Sequence, residues 1–195
     1  MIDFIEVYDA LPSDQCKLII DSCEKGEWIE GLSGDCEVDK GIKDSLDQSH
    51  NFYHKTIVDN IILEAINTYT LEYIDKHPQT NSSIDQWAVE APYNIQKYNP
   101  GCGYTHPHCE TTDPTWPMVN RMLVWMINLN TVPDGGTCWT NYNKTIEAVE
   151  GQLIIWPSYW THTHHGIVSK NHTRYIATGW YSFIDEINNK KTISA

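Results

Sequence analysis

Two short runs of this sequence carry groups able to hold a metal ion. His108-Cys109-Glu110 places an imidazole and a carboxylate two residues apart, and in extended chain residues i and i+2 project from the same face. Well downstream, Trp160-Thr161-His162-Thr163-His164-His165-Gly166 offers three further imidazoles, from which a third ligand can come. Two histidines and one carboxylate on a common face, with open positions opposite, suit non-haem iron(II) that must also take a cosubstrate and O2. Zinc accepts the same ligand types. A single His-x-Glu match is common, but five of the nine histidines (His106, His108, His162, His164 and His165) fall in or within two residues of these stretches.

Arg174 is the third element, ten positions beyond His164 and at the head of Arg174-Tyr175-Ile176-Ala177-Thr178-Gly179-Trp180. A dicarboxylate that chelates a metal through one end leaves its other carboxylate in a poorly hydrated pocket, where a guanidinium fork can pair with it bidentately. Alone, an arginine at the start of a strand is an ordinary charged residue. Joined to the histidines and Glu110, it is a candidate anchor.

Such groups need rigid carriers, and the chain divides into two kinds of segment. Near the N-terminus Pro12-Ser13 offers a helix cap, and Cys16, Ile19, Ile20 and Cys23 recur at helical spacing before Gly26 breaks the pattern. Ile57, Ile61, Ala65, Tyr69 and Tyr73 recur every four positions between Lys55 and His77, predicting a longer helix that Pro78 stops. Between these helices residues 31–50 are polar with few apolar anchors and read as a surface loop or lid, with Lys43 and Ser45 placed to touch substrate. After a polar linker, Gln79–Asp85, the character changes. Trp87–Val89, Tyr93–Tyr98, Met122–Leu129, Thr137–Trp139, Leu153–Trp156 and Arg174–Trp180 are aromatic and β-branched, and Gly, Pro and Asn separate them. Asp134-Gly135-Gly136 and Glu150-Gly151 read as tight turns, and Trp139, Trp156 and Trp160 as packing residues.

The expected fold is therefore mainly β with N-terminal helices: a sandwich or jelly roll with the helices packed on one sheet. One domain over residues 1–195 is expected, with helical support and lid in 1–86 and the jelly-roll core in 87–183. A net charge of −13, from 26 acidic and 13 basic residues, opposes the phosphate neutralisation on which nucleic-acid binding rests. No apolar run reaches the length of a membrane span, and no signal peptide is evident. The six cysteines form no Cys-x-x-Cys pair and are expected reduced, which points to the cytoplasm; the sequons at Asn81, Asn143 and Asn171 are then chance matches.

The order Tyr93-Asn94-Ile95-Gln96-Lys97-Tyr98, His108-Cys109-Glu110, Arg121-Met122-Leu123-Val124-Trp125, Leu129-Asn130, Gly135-Gly136-Thr137, Gly151-Gln152-Leu153-Ile154-Ile155-Trp156-Pro157, His164 and Arg174 resembles the iron(II)- and 2-oxoglutarate-dependent oxygenases of the prolyl 4-hydroxylase type. The likeness runs over roughly residues 87–183. It implies a double-stranded β-helix and a reaction in which O2 and 2-oxoglutarate yield succinate, CO2 and a hydroxylated product, with ascorbate as a reductant. By position it implies that His108, Glu110 and His164 bind Fe(II), and that Arg174 and Tyr98 bind 2-oxoglutarate. Tyr104, Arg121 and Trp180 match positions that face substrate. Two departures stand out: Glu110 replaces the aspartate of most relatives, and Arg174 replaces the lysine usual in prolyl hydroxylases. A protein or peptide substrate, prolyl first, is expected. A free amino acid or other small metabolite, or a non-catalytic cupin-like metal protein, are the competing readings.

Overall fold

The computed structural model describes residues 2–33, 37–82, 86–111 and 118–184. A seven-strand antiparallel path, β1 (Glu6–Asp9), β9 (Gln152–Pro157), β6 (Arg121–Asn128), β11 (Arg174–Phe183), β5 (Pro92–Tyr98), β3 (Leu46–Asn51) and β2 (Ile29–Glu30), makes the large sheet. The short β4 (Trp87–Val89) pairs with the end of β11. Opposite lies a small sheet, β10 (His164–Ile167), β7 (Val132–Trp139) and β8 (Lys144–Ala148). Two helices, α1 (Ser13–Cys23) and α2 (Ile57–Lys76), cover the outer face of the large sheet.

The central strands are buried on both faces, so alternate residues serve two different cores. Leu123, Trp125, Ile127, Leu153, Ile155, Ala177 and Tyr181 pack with Ile19, Ile62 and Ile66 of the helices. Val124, Met126, Ile154, Trp156, Ile176 and Tyr98 pack instead with Trp139 of the small sheet. Arg174, Ile176 and Trp180 share one parity of β11, so the strand that builds the inner core also presents Arg174 and Trp180 to the space between the sheets.

α2 begins with a capping box: Asp59 N donates to Thr56 Oγ1, and the Asp59 carboxylate accepts from Thr56 N. Its buried face is Val58, Ile62, Ala65, Ile66 and Tyr73; of the every-fourth set expected, Ala65 and Tyr73 are buried, Ile61 and Tyr69 pack partly against the core, and Ile57 is 61% exposed. A strict spacing of four overshoots a helical turn at each step and drifts around the helix; only mixed steps of three and four stay on the sheet.

Three other expectations change. Of the proposed lid over 31–50, residues 46–51 form β3, paired in register with β5 from Leu46↔Lys97 to Asn51↔Pro92. Lys43, Ser45 and Asp47 are buried, because their polar groups satisfy one another; residues 34–36 of that stretch, including Cys36, lie outside the described residues. Asp134-Gly135-Gly136 is no turn but an irregularity inside β7, where the register with β8 shifts between Val132 and Gly136. Trp160, unlike buried Trp139 and Trp156, is 62% exposed. The expected linker contains a 3-10 turn, Pro78–Asn81, and its residues 83–85, with Ser83 of the first sequon, lie outside the described residues. The other five described cysteines are free thiols.

Candidate active site

His108 and His164 are backbone partners: His108 N donates to His164 O at 2.9 Å and His164 N to His108 O at 2.8 Å. Glu110 N donates to Ser158 O at 2.9 Å. This pairing brings together the three side chains that the resemblance singled out. Glu110 Oε1 stands 3.6 Å from His108 Nε2 and 3.7 Å from His164 Nε2, and one ligand atom from each residue lies within 4.8 Å of the others.

The remaining ring nitrogens explain why the Nε2 atoms are available. His108 Nδ1 lies 2.9 Å from the His106 carbonyl and His164 Nδ1 3.0 Å from the His162 carbonyl. A carbonyl only accepts, so each Nδ1 carries the proton and each Nε2 offers a lone pair. Burial lowers both histidine pKa values, that of His164 to about 4. For Glu110, burial favours the neutral acid, but its interactions with the two imidazoles, with the Arg121 cation and with the Trp180 N–H outweigh it, and the pKa falls; with the imidazoles neutral, Arg121 and Trp180 are the groups that hold the carboxylate ionised. Neutral imidazoles beside an ionised carboxylate are the forms a divalent cation requires.

His162, the rival ligand, does not share the strand face of His164. It closes a 3-10 turn, Trp160–His162. Its Nε2 donates to Asp3 O at 2.8 Å, so Nδ1 is left to accept from Thr161 Oγ1 at 2.9 Å. Both nitrogens are used away from the metal group.

Arg121 and Trp180 both meet Glu110. Trp180 Nε1 donates to Glu110 Oε2 at 2.8 Å, Arg121 Nη1 lies 3.6 Å from the same oxygen, and the guanidinium stacks 3.5 Å over the indole. Tyr104 stacks on the His108 ring, centroids 3.7 Å apart. All of these border one cavity of about 680 Å³ between the sheets, which runs from Arg121 and Trp180 past the metal group to Arg174.

At that far end Arg174 is buried. Its Nη1 donates to Gly136 O at 2.6 Å, and its Nη2 to Asn128 Oδ1 at 2.8 Å and Thr137 Oγ1 at 3.2 Å. All three acceptors are neutral, and Nε has no hydrogen-bond partner among the described residues. Burial lowers its pKa to about 10, countered by Tyr98, which still leaves it charged at neutral pH. Tyr98 sits opposite Arg174 in the β5–β11 register and donates to Gln96 Oε1 at 2.6 Å. A buried cation with no anionic partner among the described residues fits the distal carboxylate of a dicarboxylate, and the His, Glu, His donor set fits iron(II).

The profile of the 2OG-Fe(II) oxygenase superfamily matches residues 93–182, the segment that holds every one of these groups. Residues 93–182 are a 2OG-Fe(II) oxygenase domain. The oxygenase is thus a 2-oxoglutarate-dependent iron(II) dioxygenase, prolyl hydroxylase-like in fold. Its solved neighbours include the viral collagen prolyl hydroxylase of Paramecium bursaria Chlorella virus-1 in complex with 2OG: 19% identity, TM-score 0.67, over 93% of this chain and 97% of that one. A Pseudomonas putida prolyl-4-hydroxylase aligns at 18% identity and TM-score 0.69, over 92% and 93%. A Trichoplax adhaerens prolyl hydroxylase in complex with a hypoxia inducible factor peptide fragment aligns at 14% identity and TM-score 0.68, over 99% and 88%. No curated protein sequence matches significantly.

Several site residues escaped the sequence reading. Asn128 had a signal, as a lone amide at the end of the apolar run Leu123–Ile127. Glu90 had none, since its partners Arg121 and Ser182 lie far away in sequence; Asp47 has close partners, Lys43 and Ser45, but a polar run does not mark itself as buried. Lys43 donates to Asp47 Oδ2 at 2.6 Å and to Leu32 O at 3.2 Å. It lines the cavity.

Proposed function

We propose that His108, Glu110 and His164 hold iron(II), that Arg174 and Tyr98 bind 2-oxoglutarate, and that the oxygenase hydroxylates a protein or peptide side chain, prolyl first, with release of succinate and CO2. The observation that carries this reading is the buried, anion-free guanidinium of Arg174 in the same cavity as the three-residue metal group. A cupin-like metal protein has no use for it. The peptide held by the Trichoplax hydroxylase supports a peptide substrate.

Bound iron(II) would supply the centre at which O2 and 2-oxoglutarate react. The protein's residues do the rest. His106 O and His162 O fix the imidazole tautomers, Trp180 and Arg121 hold one oxygen of Glu110, and Arg174 neutralises the distal carboxylate in a weakly hydrated pocket. Tyr104, Arg121 and Trp180 border the remaining volume and contact the substrate. Residues 1–195 act as one domain, in the cytoplasm, with ascorbate as the external reductant.

The test is turnover of 2-oxoglutarate to succinate by the iron(II) protein with ascorbate, first without substrate and then with a panel of prolyl peptides and free amino acids. Succinate formation that a prolyl peptide stimulates supports the full reading. Stimulation only by a small metabolite overturns the substrate, and no succinate under any condition overturns the activity.

A further inference from the structure

Glu110 divides its two oxygens between different tasks. Oε1 faces the Nε2 atoms of both histidines, at 3.6 and 3.7 Å. Oε2 accepts from Trp180 Nε1 at 2.8 Å and faces Arg121 Nη1 at 3.6 Å. Behind them stands Glu90, whose Oε1 lies 3.4 Å from Arg121 Nε and also accepts from Ser182 Oγ. Glu90 N donates to Trp180 O at 2.8 Å. One residue thus grips the side chain of Arg121 and the backbone of Trp180, locking the guanidinium–indole stack. We infer that Glu90, Arg121 and Trp180 form a positioning array that makes this metal site specific for a glutamate ligand; the inference rests on the metal reading proposed above.

The reasoning is geometric. The Glu110 backbone is tied to Ser158, so an aspartate at 110 would draw the carboxylate back by one carbon–carbon bond, about 1.5 Å. It could then not meet Trp180 and the ion position together. Without the array, a glutamate has one more free torsion than an aspartate and no preferred oxygen, which disfavours a fixed facial geometry. The side chains of Glu90, Arg121 and Glu110 are 11%, 12% and 15% exposed, so water competes weakly for these bonds.

The experiment is anaerobic titration of iron(II), with cobalt(II) as a spectroscopic probe, into wild type, Glu90→Gln, Trp180→Phe, Glu110→Asp and the Trp180→Phe/Glu110→Asp double variant. Glu90→Gln keeps the Ser182 contact and Trp180→Phe keeps the packing, and thermal melting checks that each variant folds. Glu90→Gln and Trp180→Phe should each weaken iron(II) binding by about 10–100-fold and alter the cobalt visible spectrum. Glu110→Asp should lose as much in the wild type, yet little more once Trp180 is phenylalanine. Wild-type affinity in Glu110→Asp, or losses that simply multiply, would overturn the inference. Failure of the wild type to bind iron at all would be a different result and would overturn the metal reading itself.

Discussion

Arg174 Nη2 donates to Asn128 Oδ1 at 2.8 Å, across neighbouring strands and in the absence of any carboxylate partner among the described residues. Neutral acceptors orient a guanidinium without discharging it, so the charge stays available to a ligand. Arg174→Ala should therefore keep iron and weaken 2-oxoglutarate binding by roughly 2–4 kcal/mol, as when one partner of a buried charge pair is truncated. Arg174→Lys should lose less, since it keeps the charge and forfeits only the fork. Calorimetric titration of 2-oxoglutarate into the anaerobic iron(II) protein measures both, and unchanged affinity in Arg174→Ala would sink the assignment.

Metal stoichiometry separates the histidines. The wild type should bind one iron(II) per chain, and His108→Ala, Glu110→Ala and His164→Ala should abolish binding, because two ligands hold a labile divalent ion poorly. His162→Ala should keep the ion and lose about 1–3 kcal/mol of folding stability, the cost of leaving buried hydrogen-bond partners unmatched. Loss of iron in His162→Ala with retention in His164→Ala would reverse the ligand choice.

The Lys43–Asp47 pair tests whether the 31–50 stretch is a wall or a lid. Its side chains are only 6% and 11% exposed, so Lys43→Ala strands a buried carboxylate and should cost roughly 3–5 kcal/mol. Lys43→Met/Asp47→Leu removes both charges and should cost much less. Denaturant unfolding decides: a mobile lid would show almost no loss in either variant.

Acid stability should depend on Asp59. Burial acts to raise its pKa, but hydrogen bonds from Tyr93 and Thr56 and the nearby His50 outweigh this, and the folded value lies below the ordinary 3.8. A group depressed in this way contributes stability above its unfolded pKa and loses it as pH falls through the folded one. Asp59→Asn should destabilise the protein at pH 7 by roughly 2–4 kcal/mol, combining a helix cap with charged hydrogen bonds. The deficit should shrink as pH falls below the ordinary aspartate range and through the depressed folded value, where the wild-type side chain becomes neutral like the asparagine. Urea unfolding at stepped pH values tests this, and a deficit that does not vary with pH would refute it.

The three residues of the proposed metal group and the buried arginine were legible because their chemistry is local: a period-two pair, a histidine cluster and an arginine at a strand start. The central strands were legible for the same reason, since burial on both faces makes them continuous apolar runs. What stayed hidden is long-range or edge structure. β3 is a polar run whose Asp47 is satisfied by its near neighbours Lys43 and Ser45 and by distant Gln96, and a satisfied buried polar run looks in sequence like an exposed one. β1, β8 and β10 are short strands at sheet edges; β1 and β8 alternate between contact and solvent, and β10 is only four residues long with one of them buried. The bond of Trp180 to Glu110 depends on β11 meeting the non-strand segment that carries Glu110, 70 residues away in sequence.

The mutual backbone bonds of His108 and His164 have a consequence for how the protein acquires its iron. Two of the three proposed ligands are aligned by their own peptide groups, so their relative placement is a property of the folded chain. Metal uptake then need not order a loop, and ion-free protein should remain native. Iron occupancy becomes a freely reversible variable, set by the surrounding concentration of labile iron, and the enzyme can be stripped and reconstituted repeatedly without a refolding cycle.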